Sequence, residues 1–86
     1  MVLIKVIQAK YVTDYKIDVL FNDGTRAIID LQNTFRGPVF EPLKNKDYFK
    51  EFHLDAWTIC WSNGADYAPE FLYALAVSDK SELIEN

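Results

Sequence analysis

The sequence predicts an α+β domain: a small antiparallel sheet built from β-hairpins, with a short middle helix and a C-terminal helix packed on the sheet. Three observations lead there. β-Branched and aromatic residues at period two occupy much of the first thirty residues and return at Trp57–Trp61. Glycine-bearing reversals, Asn22-Asp23-Gly24 and Asn63-Gly64, interrupt these runs. Pro69 then opens a segment whose apolar residues fall at helical spacing.

Taken in order, Val2 to Ile7 alternates imperfectly and Tyr11-Val12 continues it, with Thr13-Asp14 as the break before Tyr15–Phe21. The turn at Asp23-Gly24 fixes a register. A two-residue loop would place Phe21 opposite Arg26 and Ile17 opposite Asp30, mixing apolar and charged faces. A three-residue loop, Asn22-Asp23-Gly24, pairs Phe21 with Thr25, Val19 with Ala27, Ile17 with Ile29 and Lys16 with Asp30. It also puts Gly24 where a left-handed backbone is needed, so the bulged three-residue hairpin is expected.

Between Gln32 and Pro42 the periodicity fails, and Pro38 and Pro42 bar normal sheet pairing. Phe35, Val39, Phe40 and Leu43 are expected to cover one end or face of the sheet. A helix of one or two turns follows within 45–52, with Asp47 as its N-cap and Phe49 and Phe52 on one face. His53-Leu54-Asp55 leads into a strand in which Trp57, Ile59 and Trp61 alternate with Thr58 and Cys60. After the Asn63-Gly64 reversal, Asp66 either caps the next helix or bonds its own turn. Pro69 takes the first helical position, and Phe71, Leu72, Leu75 and Ala76 form the apolar stripe. The domain is expected over 1–77, and 78–86 as a charged tail, frayed or disordered.

At 86 residues, only about 60% of the unfolded surface becomes buried, which leaves a thin core. Half the residues are hydrophobic and 15% are aromatic, so the chain is expected to fold without metal or disulfide. A single cysteine, Cys60, fits a reducing compartment, and no signal-peptide core or membrane span is visible. A cytoplasmic location is the expectation. The net charge of −4 is uneven: residues 1–36 hold five Lys/Arg against four Asp/Glu, and residues 37–86 hold four against nine. That balance counts against nucleic acid as the main ligand and suits either solubility or a basic protein partner.

The chain is poor in catalytic constellations. Cys60 and His53 are the one thiol–imidazole combination, and seven residues apart in one extended segment they point to opposite faces. One Cys and one His fall short of a zinc set without several acids, and the isolated glycines make no phosphate cradle. No cofactor is expected. Asp30, Asp55 and Asp66 border strands and are the carboxylates available for a pocket. Trp57 and Trp61, four apart, share a strand face in this reading, with Tyr67 beyond the turn; core packing is the commoner use of such rings, and partner contact the functional one.

The residues Ile17-x-Val19-x-Phe21-x-Asp23-Gly24, Asp30-Leu31, Phe40-x-x-Leu43, Phe49, Leu54-Asp55 and, above all, Trp61-Ser62-Asn63-Gly64-Ala65-Asp66-x-x-Pro69-x-x-Leu72-Tyr73 resemble the small bacterial family called domain of unknown function 2442. Where that family commonly has proline after the tryptophan, this chain has Ser62. The resemblance implies a compact α+β domain without an assigned activity, and for short members an antitoxin-like pairing with a neighbouring gene's product. The expected function is accordingly a non-enzymatic binding or regulatory module engaging a protein through an acidic surface. Trp61, Asp66 and Tyr67 are its expected contacts, and Asp23, Gly24, Asn63, Gly64 and Pro69 serve the turns and helix start. The alternative is a small-ligand binder or minimal enzyme using aspartates near Trp61, and the third a nucleic-acid-associated regulator. Self-pairing through an edge strand would give a homo-oligomer.

Overall fold

The structure is a computed structural model that describes residues 3–78 and the backbone of 82–83. Strands β1 (Val6–Thr13), β2 (Lys16–Phe21) and β3 (Arg26–Asp30) form an antiparallel meander, and the two-residue β6 (Glu82–Leu83) pairs with β3 at Ala27 and Ile28. β4 (His53–Asp55) and β5 (Thr58–Cys60) make a second, two-stranded sheet. A 3-10 segment, Pro38–Lys44, and helix α1 (Lys46–Phe49) cross between the sheets, and helix α2 (Pro69–Ala76) packs on β3. The fold is α+β, as the periodicities predict. Most of the expected tail, 78–86, lies outside the described residues.

The β2–β3 register is the one selected by the apolar faces: Lys16 opposes Asp30, Ile17 opposes Ile29 and Val19 opposes Ala27. Phe21 N–H donates to the Thr25 carbonyl at 2.8 Å, and Gly24, at φ 92°, donates to the Phe21 carbonyl at 3.0 Å. The turn after β5 repeats this arrangement. Trp61 N–H donates to the Ala65 carbonyl at 2.9 Å, and Gly64, at φ 94°, donates to the Trp61 carbonyl at 3.0 Å. In both, the middle side chain accepts from the backbone two residues on, Asp23 Oδ1 from Thr25 N–H and Asn63 Oδ1 from Ala65 N–H. Each turn is then tied outward. Tyr73 hydroxyl donates to Asp23 Oδ2 at 2.6 Å, joining α2 to the first hairpin, and Asn63 Nδ2 donates to the Val39 carbonyl, joining the second turn to the 3-10 segment.

Local boundaries differ from expectation where irregular pairing hides the period. β1 begins at Val6 and runs through Thr13, with register shifts between Val6 and Gln8 and between Tyr11 and Thr13. These bulges explain the imperfect alternation. The break is a tight turn at Asp14-Tyr15, with Asp14 at φ 48°. Helix α1 is capped by Asn45, whose side chain accepts from Asp47 and Tyr48 N–H; Asp47 lies in the first turn. Pro69 opens α2 as expected, but its N-cap is Ala68, so Asp66 does not cap it.

The core fills the space between the meander, the crossing segments and α2. Ile17, Val19, Phe21, Ile29, Leu31, Leu43, Phe49, Ile59 and Leu72 are fully buried; complete burial of such side chains stabilises by about 1.5–3 kcal/mol each. The apolar loop does cover the sheet: Leu43 is buried, and Phe35 and Phe40 pack against the core, while Val39 stays exposed. On α2, Leu72 and Ala76 face inward. Tyr73 sets its ring edge-on to Phe21 at 5.1 Å, whereas Phe71 remains exposed and stacks on Tyr67.

Candidate functional site

The segment expected as one strand is a hairpin. His53 opposes Cys60, Leu54 opposes Ile59 and Asp55 opposes Thr58, so the chain reverses at Ala56-Trp57. Both turn residues have positive φ, 51° and 69°, the conformation of a type I′ turn. Asn-Gly is the usual sequence there, and neither Ala nor Trp announces such a turn. A signal was nonetheless present: Leu54 and Ile59, an odd distance apart, can share an apolar face only if the chain folds back between them.

This reversal separates the two tryptophans. Trp61 is 2% exposed; its Nε1–H donates to the Phe49 carbonyl at 2.8 Å and its ring contacts Phe49, Phe52 and Tyr67. Tyr67 is 6% exposed, with its hydroxyl 2.6 Å from Thr34 Oγ1. Both are core residues, so the expectation that they present a partner surface is corrected: Asn63-Gly64 turns their rings inward against α1 and the 3-10 segment. Burial also holds the Tyr67 hydroxyl above the ordinary phenol range. Trp57, by contrast, is 58% exposed at the tip of the β4–β5 turn. Its carbonyl accepts from Val6 N–H at 2.8 Å, and Lys5 Nζ sits over its ring at 4.7 Å.

Trp57 stands at one end of an open groove. Ile7 and Leu54 line its middle, between a hollow of about 400 Å³ bounded by Val6, Asp55, Ala56 and Trp57 and another of about 420 Å³ over Lys10, Leu20 and Arg26. Ile7 and Leu54 are exposed large apolar residues. Arg26 is paired with Asp18 through Nη2 and Oδ2 at 2.7 Å along the groove floor.

On its other face the hairpin carries His53, Asp55, Thr58 and Cys60, because directly opposed residues share a side. Thr58 is buried, its hydroxyl donating to the Tyr67 carbonyl at 2.5 Å. Cys60 Sγ lies 3.2 Å from His53 Nε2 and 3.6 Å from the His53 carbonyl. The expectation that Cys60 and His53 point apart is therefore overturned: they sit on paired strands rather than along one. Asp66 bridges to Cys60 from the opposite side. Burial, with the charges of Asp55 and Asp66, pushes the Cys60 thiol up, which disfavours the thiolate a nucleophile requires. Of the three strand-bordering aspartates available for a pocket, Asp55 and Asp66 lie near Cys60. Asp30 sits on β3 opposite Lys16, accepting from Gln32 N–H.

Hairpins, short crossing helices and a docked C-terminal helix define a small α+β domain whose described surface includes an outer apolar groove and a Cys-His-Asp cluster. No helix among the described residues is long and apolar enough to cross a membrane. Residues 6–78 match the family model described as Protein of unknown function (DUF2442), and the chain belongs to that family. Neither the curated proteins nor the solved structures contain a match to it.

Proposed function

We propose that this chain is a non-enzymatic binding module that docks an apolar segment of a partner protein in the groove lined by Leu20, Ile7, Leu54 and Trp57. One observation carries the reading. Trp57 holds a left-handed backbone at φ 69°, which costs an L-residue about 1–2 kcal/mol, yet most of its ring faces solvent. Intramolecular packing recovers little of that strain, whereas an exposed aromatic on a rigid turn suits a contact hot spot.

The rim specifies the occupant. Asp18 is taken up by Arg26, which leaves Asp55 against Lys5 and Lys10, so the groove side is net cationic although the chain is acidic. The fitting partner brings two or three apolar anchors flanked by a carboxylate. The family resemblance makes the product of an adjacent gene the first protein to test. Trp57→Ala and Leu54→Asp should each weaken its binding by about 30-fold or more, the loss of a hot-spot side chain. Retained folding by circular dichroism with unchanged affinity in both variants would overturn the assignment.

A further inference from the structure

On the face of the hairpin opposite Leu54, three kinds of metal-binding side chain converge. His53, Asp55 and Cys60 each offer a ligand atom, and these atoms lie within 4.8 Å of one another. We propose that they form a site for a single divalent cation of the zinc class, with Asp66 supplying the fourth protein ligand.

The backbone places them without a long loop. His53 and Asp55 are two apart on β4 and so share a face, Cys60 is the direct cross-strand partner of His53, and Asp66 bridges Cys60 on its far side. Four donors thus occupy a contiguous cross-strand patch. The platform is stiff: the partner of Asp55 is Thr58, buried and bonded to the Tyr67 carbonyl.

Distances fit the ion. With Zn–S of about 2.3 Å and Zn–N of about 2.0–2.1 Å, tetrahedral coordination puts sulfur and nitrogen roughly 3.5 Å apart. Cys60 Sγ and His53 Nε2 are at 3.2 Å. The Asp55 carboxylate already lies within the group of three, whereas Asp66 stands outside it, exposed on the segment bridged to Cys60, and would complete the set by side-chain rotation. The donor set chooses the metal: a thiolate and an imidazole favour zinc-type ions, while magnesium and calcium seek oxygen ligands throughout. Binding involves no redox step. The Cys60 S–H bond breaks with its electron pair left on sulfur, the proton goes to solvent, and that pair forms the metal–sulfur bond while His53 Nε2 donates its own lone pair. The ion would fasten β4, β5 and the Asp66 segment together.

The test is a titration of the reduced full chain with Co²⁺, whose thiolate charge-transfer band reports a Co–S bond and whose visible bands report four-coordination. The wild type should saturate at one equivalent, and Zn²⁺ should bleach the spectrum. Cys60→Ser should abolish the charge-transfer band, and His53→Gln, Asp55→Asn and Asp66→Asn should each weaken binding at least tenfold. Asp47→Asn, an exposed carboxylate outside the cluster, should leave it unchanged. Absence of the band in folded wild-type protein overturns the proposal. So does undiminished binding in His53→Gln together with Asp55→Asn, which would mark a lone thiolate. Far-UV circular dichroism of each variant separates loss of ligands from loss of fold.

Discussion

Replacing Trp61 by phenylalanine tests the placement of the two tryptophans most directly. The substitution removes the Nε1–H that meets the Phe49 carbonyl at 2.8 Å in a site only 2% exposed. A buried acceptor stripped of its donor costs about 1–3 kcal/mol. The smaller ring also gives up roughly 40 Å² of apolar contact, about 1 kcal/mol at the usual coefficient. Together these destabilise the fold by about 2–4 kcal/mol, against a total of about 4–13 kcal/mol expected for a domain of this length. Urea unfolding followed by far-UV circular dichroism measures the change, with an unchanged slope as the sign that the unfolded state is not altered. Trp57→Phe is the control. That residue is 58% exposed, and its replacement should stay within about 0.5 kcal/mol of wild type. A loss below 1 kcal/mol for Trp61→Phe, or an equal loss for Trp57→Phe, would refute the burial argument.

Two further outcomes follow from the turns. Gly24→Ala and Gly64→Ala should each cost about 1–2 kcal/mol in the same urea assay. Both glycines have φ above 90° and open space where a Cβ would stand, so the cost is backbone strain, and a neutral result at either would contradict the shared geometry. At the first turn, bonds from Tyr73 hydroxyl and then Thr25 N–H hold the Asp23 carboxyl below its ordinary value. A group depressed in the folded state stabilises above its unfolded pKa, and that contribution is lost as pH falls through the folded value. Tyr73→Phe should therefore raise the Asp23 pKa toward the ordinary carboxylate value, read by NMR titration, and flatten the acid limb of stability. An Asp23 titration unmoved by the substitution would count against the bond.

The sequence reveals the parts of this fold in which side-chain period and turn chemistry agree. The β2–β3 register follows because only an odd loop keeps Ile17, Val19 and Phe21 on the face shared by Ile29 and Ala27, and Gly24 supplies the conformation that loop demands. Pro69 at the start of α2 is legible for a similar reason, since its fixed φ suits a first helical turn. The β4–β5 turn is not legible. Its left-handed residues are alanine and tryptophan, tied by the Val6 N–H bond to the Trp57 carbonyl rather than by local preference. Reading through that turn as continuous strand misplaces everything that depends on it. It puts Trp57 beside Trp61, sends Cys60 and His53 to opposite faces, and assigns a partner surface to rings that fill the core. The groove was hidden with it, because Ile7 and Leu54 come from distant segments and meet only when the hairpin docks on β1.

The bond from Val6 N–H to the Trp57 carbonyl bears on how the chain reaches this structure. The β1–β2–β3 meander and the β4–β5 hairpin each close over short sequence distances, and such local pairings form quickly. Joining them requires the N-terminal strand to find a turn encoded far downstream. Docking of the hairpin on β1 is therefore the expected late step, and the Val6 amide should be among the last to gain protection in pulse-labelled hydrogen exchange.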